Sequence, residues 1–294
     1  MKNQPLVSIC LPTYNGSLYL QEALDSVNLQ TYSNLELVVS DDDSEDDTLI
    51  IVSRFSENSK IPVSIHRHKP NGIGANWNNT VKHSKGDYIK FLFQDDVLAP
   101  ECISFMVQAV LKNPETVLVY SKRHFLFNER NEKHINWVSK FGILHNYWNN
   151  LKVKDGEPIN GKHLLANANL YCHPLNKIGE PSATLIKKAT MMQVGLFDLH
   201  LKQILDIEYW YRIMAYGKVT YIDKELVSIR LHEQQATAIN NRNNVDEFYI
   251  LEKMIGKVSF GQLSFRNKKN FLYRYTVLGK LWKKIKVFLR KLNS

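Results

Sequence analysis

Short β-type runs alternate with helical patterns through the first third of the chain, and this alternation limits the folds that it can adopt. The predicted strands, rich in apolar and β-branched residues, are LVSICL (6–11), LELVVS (35–40), VSIHRH (63–68), YIKFLF (88–93) and VLVYSK (117–122). Helical patterns separate them at 17–30, 45–57, 74–84 and 100–112. Strands spaced by helices pair in parallel through right-handed crossovers. The predicted fold class is therefore α/β, with a Rossmann-like, mostly parallel central sheet flanked by helices.

The second half of the chain is less regular. Residues 123–180 are rich in Asn, His, Trp and Tyr and give no clear pattern. A helix is predicted over 206–216 with Gly217 as its C-terminal stop, and 219–232 is predicted to form short strands. Residues after about 235 are predicted to form an appended helical tail.

Positive charge is concentrated at the C-terminus of an otherwise ordinary globular composition, 44% hydrophobic and 23% charged. The formal net charge is +9, and residues 266–294 hold ten Lys and Arg but no Asp or Glu. The rest of the chain is therefore close to neutral, which argues against a nucleic-acid partner and indicates a local anionic one.

Cysteine usage and hydropathy bear on the compartment. The three cysteines, Cys10, Cys102 and Cys172, have no metal-binding spacing, which favours a reducing environment. The first residues lack the apolar core of a signal peptide, and no apolar run reaches the length of a membrane span. We therefore expect a cytoplasmic protein.

Polar clusters follow three of the predicted strands: PTYNG (12–16), DDDS (41–44) and QDD (94–96). Each cluster alone is also explained as an ordinary turn. Ligands of open parallel sheets bind beyond the carboxyl ends of the strands, where these clusters would meet. There Tyr14 can stack on a base, Asp42 can accept a hydrogen bond from a base or ribose, and paired carboxylates suit Mg²⁺ or Mn²⁺.

The segments VSICLPTYNG, LELVVSDDDSEDDT, GIGANWN, GDYIKFLFQDD and LDIEYWYRI, in this order over about 6–232, resemble the motifs of family-2 glycosyltransferases of the GT-A fold. The resemblance implies an inverting, metal-dependent enzyme that moves a sugar from a nucleotide-sugar donor, expected to be a UDP-sugar, to a saccharide acceptor. Similar members mostly build bacterial surface polysaccharides, often on lipid-linked acceptors. We accordingly divide 1–235 into a nucleotide-sugar-binding half (1–122) and an acceptor-binding half (123–235), with a helical C-terminal extension (236–294).

On the donor side, the resemblance implies nucleotide binding by Pro12, Tyr14 and Asp42, the last through the base. QDD matches the metal motif of the family, which implies a ribose contact for Asp95 and Mn²⁺ or Mg²⁺ ligation by Asp96.

SIRLH (228–232) resembles a family position after the last strand of the domain. His232 is expected as a further metal ligand and Arg230 as a diphosphate contact. A purely structural histidine is the alternative.

On the acceptor side, Asp206 matches the catalytic carboxylate of the family, which would act as general base; a helix cap is the alternative. Glu208 is expected to bind the acceptor, although its spacing to Arg212 equally predicts a salt bridge within the helix. Ser182 lies in GEPSATLI, which resembles the acceptor-side strand and turn, and its small size would allow a sugar to approach closely.

Three positions depart from the family pattern: Trp77 stands where Arg is common, Phe93 where Asp is common, and Leu205 where Glu is usual. These departures keep open a catalytically degenerate module that only binds a nucleotide or glycan. A sugar-phosphate nucleotidyltransferase is a third alternative, but PTYNGSLYL lacks the glycine-rich, basic loop of those enzymes.

Residues 277–292, VLGKLWKKIKVFLRKL, predict an amphipathic helix with Leu and Trp on one face and Lys and Arg on the other. Such a helix can lie on an anionic membrane surface, here the inner face of the cell membrane, through 266–294. Packing of the helix on the domain is the alternative.

Overall fold

A sheet of nine strands forms the centre of the protein. The computed structural model describes residues 4–148, 151–243 and 245–292. The strands are β1 (Val7–Thr13), β2 (Leu35–Asp41), β3 (Val63–Arg67), β4 (Tyr88–Phe91), β5 (Val97–Leu98), β6 (Thr116–Leu126), β7 (Pro158–Asn160), β8 (Thr184–Lys187) and β9 (Lys218–Arg230). The helices are α1 (Ser17–Asn28), α2 (Thr48–Asn58), α3 (Ile73–His83), α4 (Cys102–Lys112), α5 (Glu132–Phe141), α6 (Gly161–Leu165), α7 (Lys188–Val194), α8 (Leu205–Met214), α9 (Ala236–Arg242), α10 (Phe248–Ser259), α11 (Phe265–Tyr275) and α12 (Val277–Leu292).

The strand order is β3-β2-β1-β4-β8-β6-β9-β5, with β7 paired to β9. The ladders among β3, β2, β1 and β4, and the long ladder between β6 and β9, are parallel. The pairs of β8 with β4 and β6, and of β5 and β7 with β9, are antiparallel and short. The mostly parallel α/β sheet is therefore confirmed, and it brings the carboxyl ends of β1, β2 and β4 to one edge.

Each face of the sheet carries its own hydrophobic core. Along β1, Val7, Ile9 and Leu11 face one core and Cys10 faces the other, as alternation of side chains in a strand requires. Helices α1, α2 and α4 pack the first core, and α3, α8 and α10 pack the second. A strand covered on both faces is largely apolar, and the two polar side chains of β1, Ser8 and Thr13, are buried and donate to Glu36 and Asp41.

The strands and helices predicted before residue 123 are confirmed, with small differences at their ends. The prediction of short strands over 219–232 is wrong, because β9 is one strand that pairs along β6. Its exposed residues 223–225 coincide with a register shift between the two strands, and this interrupts the apolar pattern. The helix predicted over 206–216 is α8, which ends at Met214, so Gly217 lies beyond it.

The C-terminal region is not a single appended tail. Leu251 and Ile255 of α10 are buried in the core that α8 also packs, so residue 235 does not separate two cores. Helix α11 docks on α10 through Phe271, whose ring lies against Gly256, and through an ion pair between α10 and α11.

Helix α12 leaves α11 through a tight joint at Thr276. Thr276 Oγ1 accepts a hydrogen bond from Gly279 N at 3.1 Å, and a Cβ on Gly279 would overlap the carbonyl oxygen of Leu272. A larger residue does not fit there without backbone movement. Within the described ranges, no helix combines the length and apolarity that crossing a bilayer requires.

Substitution of Gly161 by Ala is expected to destabilise the fold. A Cβ at Gly161 would overlap the carbonyl oxygen of Met214, where α6 meets the end of α8, so the backbone must shift. We expect a loss of about 1–3 kcal/mol in the free energy of unfolding, measured by urea titration. Gly261→Ala is the matched control, because nothing lies within 4 Å of its Cβ. Equal stability of the two variants would contradict the close approach of α6 to α8.

Candidate active site

Gln94 ties the end of β1 to the turn after β4. Tyr14 N donates to Gln94 Oε1 at 2.9 Å, and Gln94 Nε2 donates to Tyr14 O at 3.1 Å. This holds the Tyr14 side chain, which is 54% exposed, at the strand-end edge with a free face. Pro12 is buried within β1, opposite Ser40 of β2, so it shapes the strand end rather than lining its surface.

Two acids of the DDDS cluster hold the loop after β2. Asp41 is fully buried and accepts hydrogen bonds from Thr13 Oγ1 and from the backbone and hydroxyl of Ser44. Asp43 has a φ of 62° and pairs with Arg67 at the surface. A positive φ favours Gly, which fits the interpretation of Asp43 as a turn residue.

Asp42 is the acid of this cluster that lies beside His68. It is 7% exposed, and His68 Nε2 lies 3.0 Å from its Oδ1 without the alignment of a hydrogen bond. Oδ1 therefore has no hydrogen-bond donor among the described residues. Burial raises the pKa of Asp42, the charge of Asp41 adds to this effect, and His68 opposes it.

Asp96 is sealed inside the protein. Its Oδ2 accepts a hydrogen bond from Ser182 Oγ at 2.6 Å, and its Oδ1 accepts one from Arg230 N at 3.2 Å. Burial, and then the charge of Asp95, raise the pKa of Asp96 well above its ordinary value. Lys90 is equally buried, donates to Ser182 O, and has a pKa lowered by burial.

Two expectations from the sequence are corrected by this arrangement. The Asp96 side chain is 2% exposed and faces internal donors rather than the strand-end edge, so the structure does not present it to a metal ion. The hydroxyl of Ser182 is fully buried against Asp96, so it does not face an acceptor. Ser182 instead fixes the carboxylate at the end of β4.

Asp95 points the other way, to the partly exposed strand-end edge. Its Oδ2 lies 2.9 Å from His232 Nε2, and both side chains are about one-fifth exposed. Arg230 adjoins the pair, because its Nε donates to Asp95 O at 3.1 Å. The guanidinium also pairs with Glu22 and lies 4.3 Å from the ring centre of Tyr19. The structure thus brings Asp95, Arg230 and His232 together.

Asp206 lies in the first turn of α8 and is held by two donors. Asn176 Nδ2 donates to its Oδ2 at 2.8 Å, and Ile207 N donates to its Oδ1 at 2.8 Å. Burial, and then the nearby charge of Glu180, raise the pKa of Asp206 to about 7, while Arg123 opposes the shift. A carboxylate with a pKa near neutrality is well matched to general-base work.

Segment 176–182 connects Asp206 to Asp96. Asn176 at one end bonds Asp206, and Ser182 at the other end bonds Asp96. Glu180 lies between them and raises the pKa of both acids. Its own carboxylate pairs with the buried Arg123 at 2.7 Å. One short segment therefore places the two acids in one site.

Glu208 belongs to a structural ion pair. Its oxygens accept hydrogen bonds from Arg212 Nε at 2.7 Å and Arg212 Nη2 at 2.9 Å, and it is 3% exposed. Arg212 also donates to backbone carbonyls at 194–196. The expected role of Glu208 in acceptor binding is therefore corrected in favour of the salt bridge along α8.

The three departures from the family pattern are apolar packing positions. Trp77 is 8% exposed and stacks on Phe93 with ring centres 4.9 Å apart, so it offers little surface to a donor. Leu205 packs against Gly74 at the start of α3, where a Cβ would lie 2.9 Å from Leu205 Cδ2. The chain thus has apolar contacts at these places.

Three residues of the site escaped sequence reasoning: Gln94, Asn176 and Glu180. The sequence presents Gln94 only as the first residue of QDD, whereas in the structure it joins two strand ends. Asn176 lies in the irregular segment before 180, where no periodicity marks a position as important, and Glu180 lies in GEPSATLI, where the resemblance draws attention to Ser182 instead. Their partners, Asp206 and Arg123, are remote in sequence, and a single sequence carries no signal for such pairs.

Comparison with known proteins gives three further findings. An uncharacterized glycosyltransferase of Rickettsia prowazekii is 29% identical over 260 residues, which cover 83% of this chain and 70% of that protein. The UDP-Glc:alpha-D-GlcNAc-diphosphoundecaprenol beta-1,3-glucosyltransferase WfgD of Escherichia coli is 37% identical over 108 residues, or 37% of this chain and 42% of that one. Residues 1–349 of S. aureus TarS, solved with UDP-GlcNAc, match with a TM-score of 0.59 and 17% identity over 94% of this chain and 77% of that one.

The likeness to TarS shows the fold, which is that of the GT-A transferases. The sequence model of glycosyl transferase family 2 matches residues 8–165, more than half of the chain. The chain therefore belongs to glycosyl transferase family 2 and is a glycosyltransferase.

Proposed function

We propose that the enzyme transfers a sugar from a UDP-sugar to a saccharide acceptor, with inversion at the anomeric carbon, in the assembly of a surface glycan. The observation that carries the proposal is the link between Asp206 and the QDD strand end through segment 176–182. The UDP-GlcNAc bound to TarS supports a UDP donor, and the name of WfgD supports a lipid-linked acceptor.

In the proposed mechanism, Asp206 takes the proton of the acceptor hydroxyl. Each Asp206 oxygen accepts one protein hydrogen bond and keeps a lone pair for that proton. The base stands on the acceptor side and the diphosphate departs on the opposite side, which is the geometry of an inverting transfer. Tyr14 and Asp42 bind the nucleotide base, Tyr14 by stacking with its exposed ring and Asp42 as a hydrogen-bond acceptor.

Substitution of Asp206 by Asn is expected to lower the transfer rate by about 10²–10⁴-fold and to leave UDP binding unchanged. The wild-type rate should rise with pH through about 7, because only the deprotonated carboxylate accepts a proton. Both are measured with a panel of UDP-sugars and saccharide acceptors, and by calorimetry for UDP. Full activity of the variant would remove Asp206 as the base.

Unfolding experiments provide the control for this variant. The pKa of Asp206 is raised from 3.8 to about 7, so the wild type loses stability as pH rises from about 4 to about 7. Asn does not ionise, so above pH 7 the variant should be more stable by roughly 2–4 kcal/mol. Asp46→Asn, whose parent carboxyl has a pKa of about 2, should show a constant difference from wild type between pH of about 5 and 8.

A divalent cation fits Asp95 and His232 in this proposal. Within the described parts of the chain, no group of three or more acidic, His or Cys side chains forms a metal site. Mg²⁺ and Mn²⁺ at nucleotides need only one or two protein ligands, since phosphate oxygens and water complete the shell. An imidazole ligand favours Mn²⁺ over the harder Mg²⁺. When bound, the cation neutralises charge on the departing diphosphate, which Arg230 also contacts.

Asp95→Asn and His232→Ala are each expected to abolish the enhancement of UDP binding by Mn²⁺ and to leave metal-free binding intact. Loss of either ligand removes one of two protein contacts to the cation. Calorimetric titration of UDP with and without Mn²⁺ measures the effect. The matched control is His124→Ala, since His124 pairs with Glu225 at 3.6 Å in an exposed histidine–carboxylate pair. Enhancement retained in the Asp95 variant would contradict the assignment.

Contact with an anionic membrane is proposed for α12 rather than for all of 266–294. The apolar side chains of α12 that the structure describes are 41–82% exposed: Val277, Leu278, Leu281, Trp282 and Ile285. They are not packed on the domain, whereas α11 is. Lys280, Lys283 and Lys284 are interleaved with them and supply charge for anionic headgroups. The proposed location is the cytoplasmic face of the cell membrane.

Deletion of 277–294 is expected to release the protein from vesicles that contain phosphatidylglycerol and to leave its thermal stability unchanged. Replacing Lys280, Lys283 and Lys284 by Gln should weaken binding by about 1 kcal/mol per charge. Co-sedimentation with the vesicles measures the binding of both variants, and thermal unfolding measures the stability of the truncated protein. Tyr249→Ser, which removes an exposed aromatic of α10, is the control and should pellet like the wild type. Undiminished pelleting of the truncated protein would contradict the proposal.

A further inference from the structure

We propose that Asn176 is a positioning residue for Asp206, one that sets both the orientation of this carboxylate and the pH at which it becomes a base. The inference rests on the proposed role of Asp206 as the base. It assigns a function to a residue in a segment whose sequence has no recognisable pattern.

The carboxamide of Asn176 can take only one orientation. Its Oδ1 accepts hydrogen bonds from Ile178 N at 3.0 Å and Gly179 N at 2.9 Å. Two backbone donors on one atom identify that atom as the oxygen, so the other atom of the amide is the nitrogen. Nδ2 must then face Asp206, to which it donates at 2.8 Å. The turn thus delivers a fixed donor to the carboxylate.

Helix α8 holds the same turn through a second contact. Trp210 Nε1 donates to Gly179 O at 2.9 Å, and Trp210 stands four residues after Asp206 on the same face of the helix. Gly179 has a φ of 122°, which excludes most side chains from this position. Because α8 grips the turn at two points, the distance between Asn176 and Asp206 is fixed by the helix.

The charged groups around Asp206 make the hydrogen bond from Asn176 important for the pKa of this carboxylate. The charged groups that face Asp206 are Glu180, which favours its protonated form, and Arg123, which favours its ionised form. Arg123 forms an ion pair with Glu180 and donates to backbone carbonyls. The negative charge of Glu180 therefore offsets the effect of Arg123 on Asp206. The Asn176 donor favours the ionised form that a base requires. Loss of the Asn176 donor should therefore raise the pKa of Asp206.

Asn176→Asp tests this inference with the least change to the fold. The new carboxylate still accepts from Ile178 N and Gly179 N, which keeps the main contacts of the turn. The donations of Nδ2 to Asp206 and, at 3.2 Å, to Gly179 O are lost, and a negative charge faces Asp206. The acid limb of the rate profile should move up by about one pH unit or more. At pH 7 kcat should fall about fivefold or more and recover at pH 9, with KM for the donor sugar unchanged.

Asn167→Ala is the matched control. Asn167 also accepts a backbone N–H, from Asn169, and donates to a carbonyl, that of Trp148, but it does not contact Asp206. Its rate profile should keep the wild-type limb even if its melting temperature falls. Asn176→Ala should fall in kcat with the limb at higher pH, like the Asp variant.

An Asn176→Asp profile that superimposes on the wild type would overturn the inference, whatever happens to stability. Parallel measurement of Asp206→Asn separates this result from a failure of the proposed function. If Asp206→Asn is inactive while the limb of Asn176→Asp has not moved, only the inference falls. If Asp206→Asn retains full activity, the base assignment falls and takes the inference with it.

Discussion

The rest of the site depends on the hydrogen bonds that the buried carboxylate of Asp96 accepts. It belongs to the turn after β4, and it accepts hydrogen bonds from Ser182 before β8 and from Arg230 N at the end of β9. Three segments remote in sequence are therefore fixed around one acid. A buried carboxylate is tolerated only when its oxygens are satisfied, so each of these contacts is costly to lose. The site is anchored by a group that does not itself face the substrate.

Neighbouring acids in this protein have opposite tasks because the chain turns between them. Asp96 faces inward and holds the fold, while Asp95 faces the edge beside His232. The same division appears in DDDS, where Asp41 holds the loop and Asp42 lies beside His68. In both pairs one carboxylate is spent on structure, which leaves the other in a defined position for chemistry. In each pair, therefore, one acid stabilises the strand end and its neighbour is the one to which the proposed function assigns a role.

The sequence was informative where local pattern decides structure and uninformative where distant contacts do. Apolar runs and helical spacing predicted the elements before residue 123, and the resemblance brought Asp95, Arg230, His232 and Asp206 into consideration. Neither the pattern nor the resemblance shows whether Asp95 or Asp96 faces inward, because both acids follow the same strand. The resemblance predicts a substrate contact for Ser182 because its buried partner, Asp96, is remote in sequence. For Glu208 the sequence leaves open a salt bridge with Arg212, which is what the structure has. The irregular segment before 180 carries contacts that no periodicity reveals.

The tight joint between α11 and α12 holds the last helix in a fixed position relative to the domain, so α12 is not a flexible tether. Gly279 allows the two helices to meet without a linker, and α11 is clamped to α10, which shares a core with α8. With α12 on a membrane, as proposed, Asp206 would stand at a set height above that surface. A lipid-linked acceptor would then have to raise its hydroxyl to this height. The length of the glycan already built, and not its terminal sugar alone, would thus decide which acceptors reach the proposed base.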